Sequence, residues 1–171
     1  MGKILIILAF GFLCACTKDE ISKGSAKAKP SFSSEWDFKA EFSFEDDIYS
    51  IRLDYYNDST GLINRIGFSN IPNIEDTVKM SYVSEVPWIV EKFPTARFSV
   101  MDDDVQGELY VTDSSNVLQS YIIIDCATRS KISGKFRINF MLSSRSILPK
   151  LSPNIPDYFI VDEGNFNAEK L

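Results

Sequence analysis

The chain has 171 residues, 44% of them hydrophobic and 25% charged, with 13 Phe and 7 Tyr, which is enough apolar material for one core and too much for a disordered chain. Its formal charge of −6 argues against nucleic acid and anionic lipid headgroups as partners. The absence of histidine removes Ser-His-Asp and Cys-His nucleophilic machinery and the commonest zinc ligand.

The first fifteen residues carry Lys3 and an apolar run from Ile4 to Leu13. A run of this length suits a signal-peptide core and is too short to span a bilayer as a helix. It closes on Leu13-Cys14-Ala15-Cys16 and turns polar at once with Thr17-Lys18-Asp19-Glu20. Leu three positions before Cys16 and Ala directly before it resemble the bacterial lipobox. Small residues there admit a peptidase, and the Cys16 thiol is the nucleophile that accepts a diacylglyceryl group. The resemblance implies that residues 1–15 are a signal peptide and that Cys16 is the lipid-bearing mature N-terminus. Its acyl chains, at about 0.8 kcal/mol per buried methylene, would hold the protein on a membrane. Processing would leave 156 residues with a charge of −7, and Cys126 as the one unmodified cysteine. No intrachain disulfide is then expected, and Cys126 reads as a small hydrophobe on a core strand.

Residues 16–31, the lipidated cysteine followed by TKDEISKGSAKAKPS, are short of aromatics and rich in Lys, Ser and Ala. That composition predicts a flexible tether before a single domain over residues 32–171.

From Trp36 to Phe44 every even position is apolar and every odd one polar or small, the period of a strand with one face on a core. Tyr49, Ile51, Leu53 and Tyr55 repeat the alternation after Glu45-Asp46-Asp47, which predicts an antiparallel hairpin. Asn57–Gly61 is a turn cluster. Residues 65–71 and 77–83 give weaker strands, and 84–94 reads as an irregular loop carrying Pro87, Trp88 and Pro94. Ala96, Phe98 and Val100 begin another strand, which Asp102-Asp103-Asp104 breaks before Glu108–Val111 resumes. The isoleucine run in Tyr121–Cys126 predicts a central strand buried on both faces. Ile132 to Leu142 alternates most regularly, with Lys131, Lys135 and Arg137 on its outer face, and a last strand runs from Tyr158 to Phe166. Eight or nine short strands without helical periodicity predict an all-β fold, an antiparallel β-sandwich with a small closed β-barrel as the alternative.

The lipobox, the acidic run behind it and the compact all-β domain are similar to small outer-membrane lipoproteins of Bacteroidota-type bacteria. Gly107-Glu108-Leu109-Tyr110-Val111, Ile132-Ser133-Gly134-Lys135-Phe136 and Glu163-Gly164-Asn165-Phe166 resemble the closing strands of an uncharacterised lipoprotein domain of that group. The resemblance implies an outer-membrane address and an all-β fold, but no activity. Lys18-Asp19-Glu20 further resembles a Lys-plus-acidic export signal, which would place the domain on the cell surface. The glycines in these segments are expected at bulges or close backbone approaches.

No cofactor motif is present. Paired carboxylates for a hydrolase could come from Asp46, Asp47, Asp102, Asp103, Asp104, Asp162 and Glu163, all at expected turns or strand ends. Asp102, Asp103 and Asp104 offer a weak calcium site without the spacing of an EF-hand loop. Trp88 is the candidate contact for a glycan or a protein partner. The expectation is a membrane-anchored, non-enzymatic binding or structural domain. A glycan-binding module of a surface uptake system and a carboxylate-based hydrolase are the alternatives.

Overall fold

A computed structural model describes residues 24–81, 92–116, 119–146 and 150–171. They form ten strands: β1 (Ser25–Pro30), β2 (Trp36–Glu45), β3 (Ile48–Tyr56), β4 (Ile63–Pro72), β5 (Thr77–Lys79), β6 (Thr95–Asp102), β7 (Val105–Thr112), β8 (Tyr121–Ala127), β9 (Lys131–Leu142) and β10 (Tyr158–Lys170). Eight of them, in the order β1-β2-β3-β4-β6-β7-β9-β10, close into an antiparallel ring. Of the two all-β architectures the sequence allows, the chain adopts the up-and-down barrel in place of the sandwich. Ring closure removes the open edges that a sandwich would have to protect.

The closure rests on a strand that composition conceals. β1 lies inside the stretch read as tether, yet it pairs with β10 from Ser25↔Asn167 to Lys29↔Glu163 and with β2 from Ser25↔Lys39 to Ala28↔Trp36. Its burial alternates strictly, with Ala26, Ala28 and Pro30 inward and Ser25, Lys27 and Lys29 outward. The residues that made it look like a linker are therefore an inner row of small side chains and an outer row of lysines. The barrel therefore takes in residues from Ser25 on, ahead of residue 32, where the sequence reading starts the domain. Where β1 starts, β10 runs on to meet β2 in parallel at Glu169↔Glu41 and Lys170↔Phe42.

β8 and β5 lie outside the ring. β7 takes only the last part of β9, from Phe140 to Leu142, and β8 pairs with the first part, from Ile132 to Arg137; β5 then pairs with β8. The isoleucine run is thus not a central strand. Ile122 and Ile124 are buried with Val78 and Met80, while Tyr121 and Ile123 are only half-buried. Cys126 is half-buried beside the register shift after Ile124.

Aromatic rings fill the barrel. Phe98 lies 5.2 Å from Phe159, 5.4 Å from Tyr110 and 5.9 Å from Trp36, which stacks on Tyr55 at 5.4 Å. A second group joins Phe68 to Phe136 at 5.1 Å and Phe136 to Phe166 at 6.4 Å. Glycine makes room for these last two rings. A Cβ on Gly164 would stand 2.3 Å from Phe136 Cζ, and one on Gly134 would stand 2.9 Å from Phe166 Cζ and 2.0 Å from the Ile123 carbonyl oxygen. Each ring covers the glycine opposite it across the β9–β10 ladder, and β10 is irregular just before Gly164, as the sequence predicts for glycine on a strand.

The ring has two ends. Gly24, Leu171, the β2–β3 turn and the β8–β9 turn lie at one, here called the terminal end. The β3–β4 and β6–β7 turns and the segment between β9 and β10 lie at the far end. Asp46 (φ 50°) and Asp47 (φ 61°) make the two-residue β2–β3 turn with both residues left-handed, a geometry that Asp tolerates better than most residues. On the outer wall Glu41 opposes Arg52 and Asp54 opposes Arg65, with Arg65 Nε 2.6 Å from Asp54 Oδ1. The hydrogen bond from Lys39, aided by Arg52 against partial burial, holds the Glu41 carboxyl below its usual range. Such cross-strand pairs contribute roughly 0.2–1 kcal/mol each.

Two measurements test this packing. Phe136→Ala should lower the unfolding free energy by about 3–5 kcal/mol, whereas Lys135→Ala, on the exposed face, should cost under about 0.5 kcal/mol; equal effects in urea titrations would reject the inward assignment. Removing residues 17–31 should leave β2 and β10 as open edges and give an aggregating product, whereas removing only 17–23 should not. Equal solubility and melting temperature for the two truncations would reject β1 as the closing strand.

Candidate functional site

Cys16 and Trp88, the two residues the sequence singles out for lipid and ligand, lie outside the described residues. The candidate carboxylates do not converge. Asp46 and Asp47 stand at the terminal end, whereas Asp102, Asp103 and Asp104 form the β6–β7 turn at the far end. Asp103 has φ 52°, so the acidic triplet serves a tight turn. Among the described residues no group of three Cys, Asp or Glu is placed to hold a metal ion. Asp162 and Glu163 sit in the β10 irregularity, and Asp162 Oδ1 lies 3.1 Å from Arg137 Nη2. The basic row on β9 is likewise drawn toward β10, with Lys131 3.9 Å from Glu169.

The barrel interior, filled by rings, leaves the ends as places to bind. A cleft of about 520 Å³ opens at the terminal end. Phe44 and Tyr49 of the β2–β3 hairpin form one wall, with ring centroids 4.6 Å apart. Asn73, just past β4, accepts a hydrogen bond from the Tyr49 hydroxyl at 3.0 Å, and its backbone N–H donates to the Asp47 carbonyl oxygen at 3.0 Å. Thr128 and Arg129 of the β8–β9 turn and Lys170 of β10 complete the rim. Burial, with Asp47 and Glu75 nearby, pushes the Tyr49 phenol above its usual range. Arg129 and Lys170 have no carboxylate within ion-pair distance among the described residues. The cleft therefore combines an aromatic wall, two uncommitted cations and one carboxylate, and it suits contact with an amphipathic surface or ligand. Sequence reasoning missed it because its walls come from four separate segments.

A second polar cluster lies at the far end. Glu108 is fully buried; its Oε1 accepts the Ser152 N–H at 2.7 Å, and its Oε2 has no hydrogen-bond partner among the described residues. Lys150 Nζ donates to the Ile155 carbonyl oxygen at 2.9 Å and to Asp157, and stands 5.9 Å over the Tyr110 ring. The Tyr110 hydroxyl donates to the Ile155 carbonyl oxygen at 3.4 Å. These bonds hold residues 150–157 across the barrel mouth. Burial lifts the Tyr110 phenol above its usual range, against the pull of Lys150.

Both raised phenols make stability depend on pH at the alkaline end. Because the unfolded chain releases these protons near pH 10 while the folded chain holds them, stability is fully present below about pH 10 and falls as pH rises above it. Urea unfolding between about pH 9 and pH 11 should show this fall, and Tyr110→Phe should make it shallower. An unchanged slope in that variant would mean that Tyr110 ionises as freely in the folded chain as in the unfolded one.

Comparisons of the chain with protein-family models, with curated proteins and with solved structures return no match.

Proposed function

We propose that this protein is a lipid-anchored outer-membrane lipoprotein whose barrel is a non-enzymatic binding or structural module working through its outer surface. The observation that carries the reading is Leu13-Cys14-Ala15-Cys16 at the end of a short apolar run, nine positions before β1 starts at Ser25. The filled interior supports a surface role, since eight-strand barrels that carry a small ligand inside keep a central cavity for it. Thr17, where Asp would favour retention on the inner membrane, and Lys18-Asp19-Glu20 support an outer-membrane, cell-surface address. Exposure of this kind needs a receptor that reads the signal, because three charges on a short segment do not move a folded domain across a bilayer.

Labelled palmitate should enter the unaltered protein and not Cys16→Ala; label that persists in Cys16→Ala and vanishes in Cys14→Ala would move the lipidation site. Changing Lys18, Asp19 and Glu20 together to Ala should leave labelling and membrane fractionation intact while removing access to protease added to whole cells. Protection of the unaltered protein in intact cells would assign it to the periplasmic face.

A further inference from the structure

We infer that the terminal end of the barrel rests on the bilayer, with Phe44, Ile48, Ile74 and Leu171 entering the apolar side of the lipid interface and Arg129 and Lys170 meeting the phosphate layer. The inference rests on the lipoprotein reading above and adds an orientation and a contact surface to it.

Chain length and the direction of β1 decide which end faces the lipid. From Cys16 to Gly24 there are eight residue steps, which reach at most about 29 Å when fully extended and on the order of 16 Å as a flexible coil. Gly24, whose carbonyl oxygen accepts the Ala40 N–H at 2.8 Å, lies on the wall five residues of β2 short of the β2–β3 turn. The ten residues of β2, at about 3.3 Å each and tilted about 40°, make the wall roughly 25 Å tall. β1 runs from the terminal side toward the far end, so presenting the far end to the membrane would make the chain ahead of it double back along the wall. The terminal rim lies about five residues of β2 from Gly24, about 13 Å along the wall, well within the extended reach.

The side chains at that end fit the contact. Phe44 is 37% exposed, Ile48 39%, Ile74 46% and Leu171 67%. They are neighbours through the fold: Ile48 pairs with Pro72, the Ile74 N–H donates to the Pro72 carbonyl oxygen at 2.9 Å, and the Leu171 N–H donates to the Phe42 carbonyl oxygen at 2.9 Å. Glu45, Asp46, Asp47, Glu75 and Asp76 share the same end, so net charge does not draw it to lipid. The attraction is burial of apolar side chains, and the bilayer it fits is zwitterionic. An anchor this short keeps the local lipid concentration high, so a weak contact is sufficient to hold the orientation.

The test uses the full lipidated chain in phosphatidylcholine vesicles, with a photoreactive benzoylphenylalanine in place of Phe44 or Ile74 at the terminal end, or of Tyr56 or Val105 at the far end. Lipid adducts should form at Phe44 and Ile74 and be lost at Tyr56 and Val105, with no change on raising the salt. Adducts of equal yield at both ends, adducts at neither end, or adducts that disappear in high salt would each overturn the inference while palmitate labelling still stands. Absence of the palmitate label would instead remove the lipoprotein reading and this orientation with it. The double variant Phe44→Asp, Ile74→Asp should retain its label and lose adduct formation from a probe at Ile48; retention of the Ile48 adduct would also overturn the inference.

Discussion

The volume enclosed by an eight-strand barrel has to be filled by side chains at the density of a protein interior, and in this chain that demand is met by large rings set against very small residues. Trp36, Phe98, Tyr110 and Phe159 form one ring group and Phe68, Phe136 and Phe166 another, while Ala26, Ala28, Ala40, Ala96 and Ala168 are small residues buried in the same core. The pattern extends to Gly134 and Gly164, whose missing side chains leave the space that Phe166 and Phe136 cross. Large and small positions are thus matched across strands, and this matching agrees with the β9–β10 register that the backbone ladder sets.

From that filled interior follows the distribution of polar chemistry. With no room inside, polar groups collect at the two mouths and on the outer wall. At the far end Glu108, Lys150 and Tyr110 bind residues 150–157 over the opening. At the terminal end the Tyr49–Asn73 bond and the uncovered Phe44 ring shape a cleft that no such segment covers among the described residues. Both ends expose apolar side chains, and they differ in what lies beside them: buried polar bonds hold a segment at the far end, whereas Arg129 and Lys170 border an open cleft at the terminal end among the described residues.

The same asymmetry links the fold to the proposed anchor. Because β1 closes the ring next to β10, the first and last described residues leave the barrel at one end. A lipid on Cys16, as proposed, would bring that end rather than the far one toward the membrane. On that proposal, barrel closure by β1 and the orientation of the domain follow from the same strand pairing.

The alternation in 36–44, 49–55 and 131–142 was enough to place three strands and their buried faces, because a strand with one wet face must repeat with period two. Turn chemistry at Asp46-Asp47 and at 102–104, and the close approaches at Gly134 and Gly164, were also legible, since few residues tolerate left-handed backbone or a ring against the Cα. Three features were decided only by tertiary structure. β1 was hidden because Ala facing rings and Lys facing water have the composition of a linker, and only their pairing with β2 and β10 makes them a strand. Ring closure in place of a sandwich depends on that pairing, which has no local signature. The isoleucines of β8 look like a central strand, but β7 occupies only one end of β9 and leaves the other end to a strand outside the ring. The terminal cleft was equally hidden, since Phe44, Asn73, Arg129 and Lys170 come together only when four distant segments meet at one end of the barrel.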